Sequence, residues 1–257
     1  MYHLINQENL LENLRSEGND LVILNFEDST DYIQRNAFLL VRLIQQINTI
    51  INNKKPLIVI GASMGGLVGR YALAYMEKYD IPHNTKLFIS FDSPHKGANI
   101  PLGDQYMLPF FSGESAEVRT WLGRLNSPAA KQMLVYHYSA SVTDQTASRN
   151  CISSTYCFST TICNYPYIPK SHELRNILLE EISHLDFPKK TRTVAMSNGS
   201  GYAIGQSFMP GDQLIKYSHQ SLFVALKSYT YALPDNDPVN INSGDTLLIA
   251  DKTELHN

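Results

Sequence analysis

Charge of one sign, cysteine and long apolar runs are all scarce in this chain. It carries 21 Lys and Arg against 24 Asp and Glu in 257 residues, a net charge of −3. That leaves no electrostatic footprint for nucleic acid. No apolar stretch approaches the roughly 20 residues that a membrane-spanning helix needs. The opening Met1-Tyr2-His3-Leu4-Ile5-Asn6 has neither the basic start nor the long apolar stretch of a signal peptide. The three cysteines, Cys151, Cys157 and Cys163, are evenly spaced in one Ser/Thr-rich stretch that holds no His or acidic residue. Such spacing does not support a zinc site. In an exported protein two of them can form a disulfide and leave one free, whereas in the cytosol all three are ordinary thiols.

What the chain does have is 43% hydrophobic residues, enough for one sizeable core with a small appendage. The pattern predicts a helix over 7–16, a buried strand over Leu21–Phe26 and a helix over 31–51, where Ile33, Ala37, Leu40, Val41, Ile44 and Ile47 recur at helical spacing. A short apolar strand at 57–60 follows, then a helix to about Lys78 and a strand over Lys86–Phe91. Alternating elements with helix-length crossovers imply a parallel sheet with right-handed connections and helices on both faces. Residues 98–170 read as loops and short helical pieces such as Pro128–Tyr136, an insertion of the kind that covers an active site. Within it, Met107–Phe111 suits either an apolar acyl-binding surface or an anchor that packs the insertion down. A helix over 172–185 and a strand over 191–197 come next. Alternation at 214–217, 221–233 and 246–250 then reads as the start of a β-rich module. The expected domains are a core over 1–211, with the insertion and connecting helices at 98–190, and a β-rich segment over 212–257.

The most informative segment is Gly61-Ala62-Ser63-Met64-Gly65. It fits the pattern Gly-x-Ser-x-Gly, and it stands where that pattern carries meaning, between a predicted strand and a predicted helix. A serine on such a sharp turn has strained backbone angles and an exposed hydroxyl. Gly61 and Gly65 leave room for strand and helix to approach each other. The helix start directs free N–H groups at the site, so the N–H of Met64 is the candidate donor to an oxyanion. The competing reading is an ordinary buried strand-to-helix turn.

Further along stands Ser93-Pro94-His95-Lys96-Gly97. Together with the serine turn, and with Tyr32–Ala37 and Ser197–Gly201, it resembles the α/β-hydrolase lipases, in particular a lipase-like type of exported bacterial proteins. The resemblance extends over about residues 7–235. It implies an α/β-hydrolase fold, a serine nucleophile and an extracytoplasmic location, against the cytoplasmic reading of the N-terminus as written. Lipases of this type have a further strand with an oxyanion loop before the first helix seen here, and a catalytic histidine after the last core strand. On that comparison the chain is expected to be a fragment, with an unprotected edge on its sheet.

A serine hydrolase needs a base for the serine proton and an acid to orient that base. Asp92, immediately after the strand that follows the serine strand, is the candidate acid. Its competing role is a structural carboxylate at the Pro94–Gly97 turn, and Asp212 is the alternative acid. His219 and His256 stand in the chain order Ser, Asp, His, but so would a histidine beyond Asn257, and the base stays unassigned. The expected chemistry is acyl transfer from a carboxylic or lipid ester through Ser63, with no metal and no cofactor. The rivals are an acyltransferase using the same residues and a non-catalytic binding domain that keeps the fold.

Overall fold

Apolar side chains three or four apart need a second surface to cover them, and the first long helix shows how this chain supplies one. A computed structural model describes residues 6–52, 54–113, 115–143, 145–146, 150–154, 160–164, 167–197, 213–220, 225–231 and 254–256. It divides into two compact units, Met1–Ser93 with Leu185–Met196, and Pro94–His184 with Ser197–Asn257.

The first unit begins with helix α1 (Leu10–Ser16), preceded by a 3-10 turn at Gln7–Asn9. Helix α2 (Ile33–Ile50) buries Ile33, Ala37, Val41 and Ile44, the stripe that the sequence predicts. Strand β1 (Leu57–Ala62), helix α3 (Met64–Lys78) and strand β2 (Thr85–Phe91) then form a right-sized crossover unit. α2 packs on α3, with Phe38 set edge-on to Tyr75 at 5.0 Å between ring centres. α3 packs on the sheet, where Phe88 is fully buried against Gly69. Fully burying one such aromatic side chain is worth about 2–3 kcal/mol.

Leu21–Phe26 is not a strand. It runs without regular structure, and Leu21, Val22 and Ile23 are exposed. An apolar run has the capacity for a strand, but a strand exists only where another offers it a ladder of hydrogen bonds, and no described strand does.

The second unit opens with helices α4 (Leu102–Phe111), α5 (Ala116–Leu125) and α6 (Pro128–Met133). The first two are longer than the sequence reading allowed. Ser115 caps α5, its hydroxyl accepting from the N–H groups of Glu117 and Val118. Short antiparallel pairs follow: β3 (Val142–Thr143), β4 (Asn150–Ser154), β5 (Thr160–Asn164) and β6 (Tyr167–Ile168), with β3 against β6 and β4 against β5. The core here is partly polar, and its buried Gln105 and His137 are hydrogen-bonded. Gln105 donates to the carbonyls of Ile100 (2.8 Å) and Tyr136 (3.0 Å) and accepts from the N–H of Tyr138 (3.0 Å). His137 is completely buried. Its Nδ1 accepts from the Ser139 N–H, so its Nε2 carries the proton and donates to the Leu125 carbonyl at 2.9 Å. Burial holds its pKa below the ordinary 6.5.

Helix α7 (Glu173–Leu185) returns the chain to the first unit, where strand β7 (Arg192–Met196) completes a parallel sheet in the order β1-β2-β7. Arg70 of α3 fixes the returning segment, its Nε donating to the Asp186 carbonyl at 3.2 Å with the guanidinium 3.7 Å above the Phe187 ring. Last come β8 (Gln213–Gln220), β9 (Ala225–Tyr231) and β10 (Glu254–His256), an antiparallel sheet in the order β10-β9-β8. The alternating segment predicted at 246–250 lies outside the described residues, as does Asp212. No described helix is long and apolar enough to cross a membrane.

Candidate active site

The predicted sharp turn is present, and Ser63 is its pivot. It follows the last residue of β1 and caps the N-terminus of α3 with φ +51° and ψ −125°. Those angles lie outside the regions open to an L-residue at low cost, and holding one there costs about 1–3 kcal/mol. Two bonds keep it there. The Ser63 N–H donates to the Phe91 carbonyl on β2 at 2.8 Å, and the Gly66 N–H closes onto the Ser63 carbonyl at 3.0 Å. Ser63 itself is exposed.

Close approach of strand and helix makes this geometry possible. A Cβ on Gly61 would strike the carbonyl of Gly65 and come within 2.6 Å of the Gly66 nitrogen. A Cβ on Gly66 would meet the hydroxyls of Ser90 and Ser93, and one on Gly69 would lie 2.7 Å from Phe88. Gly65 has nothing within 4 Å. The room that the motif was expected to need at Gly61 and Gly65 is therefore needed at Gly61, Gly66 and Gly69. The readable signal was Gly66-x-x-Gly69, two small residues on one helix face. A direct test follows. Gly61→Ala is expected to lose about 3 kcal/mol, because all three obstructing atoms are backbone. Gly65→Ala is expected to fall within about 0.5 kcal/mol of the parent or to gain stability from helix propensity. Urea midpoints at unchanged slope measure both, and equal losses would remove the packing argument.

Asp92 occupies the equivalent place on the next strand. Ala62 pairs with Phe91 in the parallel register, so Ser63 and Asp92 each stand one residue past the paired ends of neighbouring strands. Asp92 also has a left-handed φ of +46° and is exposed. Its N–H donates to the carbonyl of Met196 at 2.6 Å. Ligand sites of open parallel sheets form at this carboxyl end. Met64 is the first residue of α3, and first-turn amides have no acceptor inside their own helix. Ser63, Asp92 and the Met64 N–H are thus brought to one end of one unit.

The histidines among the described residues divide into three groups. His83, His137, His172 and His184 each hold a bond within their own surroundings, to Thr85, Leu125, Leu174 and Glu180 respectively. His95 lies in the turn closed by the Gly97 N–H on the Pro94 carbonyl. That turn is held by Arg175, whose guanidinium donates to the carbonyls of Lys96 (2.5 Å) and Met133 (3.3 Å). His219 and His256 fall on β8 and β10, paired through β9 with Leu226 and Ala225.

No group of His, Cys, Asp and Glu among the described residues could hold a metal ion. A family model described as PGAP1-like alpha/beta domain matches residues 26–168, just over half of the chain and including Ser63, Met64 and Asp92. Neither the curated proteins nor the solved structures contain a match.

Proposed function

The chain belongs to the PGAP1-like alpha/beta domain family, a lipase-like branch of the α/β hydrolases, and from that premise we propose that it cleaves carboxylic esters through an acyl-enzyme on Ser63. The observation that carries this reading is the backbone of Ser63, an exposed serine held at φ +51° and ψ −125° between strand and helix. A turn that only had to reverse the chain would be better served by glycine. Keeping a hydroxyl at such a cost is accounted for by chemistry at that hydroxyl.

In this mechanism a histidine base takes the Ser63 proton as Oγ attacks the ester carbonyl. The tetrahedral oxyanion accepts a hydrogen bond from the Met64 N–H. The base then returns the proton to the leaving alcohol, and the acyl group remains on Ser63. Water, activated by the same base, releases the acid. Asp92 holds the base in the productive tautomer. With an alcohol in place of water, the same residues would perform acyl transfer. Met107–Phe111 forms the second half of α4, where Phe110 is exposed and its neighbours are half-buried.

A fluorophosphonate probe tests the proposal directly, since it reacts with activated serines and leaves ordinary hydroxyls alone. The expected result is a single adduct on the peptide carrying Ser63, suppressed by prior incubation with an ester substrate. A folded chain that takes up no probe at Ser63 would favour a binding domain over an enzyme.

A further inference from the structure

The register of one hairpin distinguishes between the three cysteines. β4 and β5 pair antiparallel with Cys151 directly opposite Cys163 and Ile152 directly opposite Ile162. Directly opposed residues of an antiparallel pair have Cα atoms about 4.5 or 5.5 Å apart, according to which kind of ladder position they occupy. Both spacings fall within the roughly 4.4–6.8 Å that a disulfide spans. Cys157 stands six positions from each of the others and lies outside the described residues.

The hairpin has reason to be stapled. β4 and β5 form a sheet of two strands, without a third among the described residues. Isolated two-stranded hairpins are marginal in water. Residues 150–164 contain no charged side chain, so no cross-strand ion pair is available to fix the register.

We propose that Cys151 and Cys163 are the disulfide-forming pair of this chain and that Cys157 is its free thiol. The oxidant is a small-molecule disulfide such as oxidised glutathione. One cysteine thiolate attacks it, forming a mixed disulfide and releasing one glutathione thiolate. The second cysteine thiolate attacks the protein sulfur of that mixed disulfide and releases the other. Two protein thiols and one small disulfide become one protein disulfide and two small thiols, and the protons from the cysteines pass to the departing glutathione.

The experiment equilibrates the full chain with oxidised and reduced glutathione, blocks remaining thiols with N-ethylmaleimide and maps the links without reduction. Trypsin leaves all three cysteines on one peptide, between Arg149 and Lys170. Chymotrypsin separates them, because Tyr156 and Phe158 flank Cys157. The expected product joins the Cys151 peptide to the Cys163 peptide, with Cys157 outside the link. Cys157→Ser should keep the link and the accompanying loss of two hydrogens in mass. A link through Cys157, or three blocked thiols after equilibration with excess oxidised glutathione, overturns the assignment.

Discussion

Ser63→Ala is expected to take ester turnover down by about 10⁴- to 10⁶-fold, with the unfolding transition kept. The size follows from the part that the hydroxyl plays. Without it there is no acyl-enzyme, and what remains is whatever the oxyanion donor and substrate binding contribute alone. Stability gives a second readout that a merely structural serine would not produce. Alanine at 63 leaves the strain in place, because a Cβ is still held at φ +51°. Ser63→Gly removes it. Against about 1–3 kcal/mol of released strain stands the extra freedom of glycine in the unfolded chain, about 0.5–1 kcal/mol. The inactive glycine variant should therefore unfold at higher urea than the parent, by about 1 kcal/mol. A glycine variant less stable than the parent would show that Ser63 is not strained. Stability gained where activity is lost is the signature of a site that keeps a costly conformation for its chemistry.

Asp92→Asn is expected to lower turnover by about 10⁴-fold and leave the fold unchanged. The substitution suits this backbone well, since asparagine is among the few residues that accept a left-handed φ, and Asp92 sits at +46°. Its N–H remains available to the Met196 carbonyl. What the amide cannot do is balance the positive charge that a histidine base acquires in the transition state. The measurement is kcat for a soluble ester beside the urea midpoint of the same preparation. A loss of activity together with stability would return Asp92 to a structural role at the turn. Near-normal turnover would pass the acid role to Asp212.

The sequence was legible where structure is local. The strand, serine and helix at 57–78 could be read because an apolar strand, a motif of five residues and a largely apolar helix each declare themselves within a few turns. The same holds for α2, α7 and β7. Partnership was harder to read. Leu21–Phe26 has the composition of a strand, but the chain provides it with no described neighbour, and composition cannot say so. Within the insertion, Pro109 and the restart at Ser115 hid α4 and α5, since a proline two residues before a helix end and a capped restart both look like loop. The site divides in the same way. Ser63 is specified by its immediate neighbours. A base for the proposed chemistry would depend on a contact between distant parts of the chain, for which no spacing rule exists. Among the described strands, β1 and β7 are the outer strands of the parallel sheet, and Ile58 and Ile60 of β1 are exposed.

The Asp92 N–H is held by a carbonyl that lies roughly a hundred residues further along the chain. At a synthesis rate of about 5–20 residues per second, that interval is on the order of 5–20 s on the ribosome. β1, the serine turn, α3 and β2 can assemble as soon as residue 91 has emerged, because every contact among them is available by then. β7 cannot join until the whole of 94–184 has followed. The nascent chain therefore carries a formed serine turn beside an aspartate whose backbone is not yet anchored, and the carboxyl end of the described parallel sheet is completed only when β7 arrives.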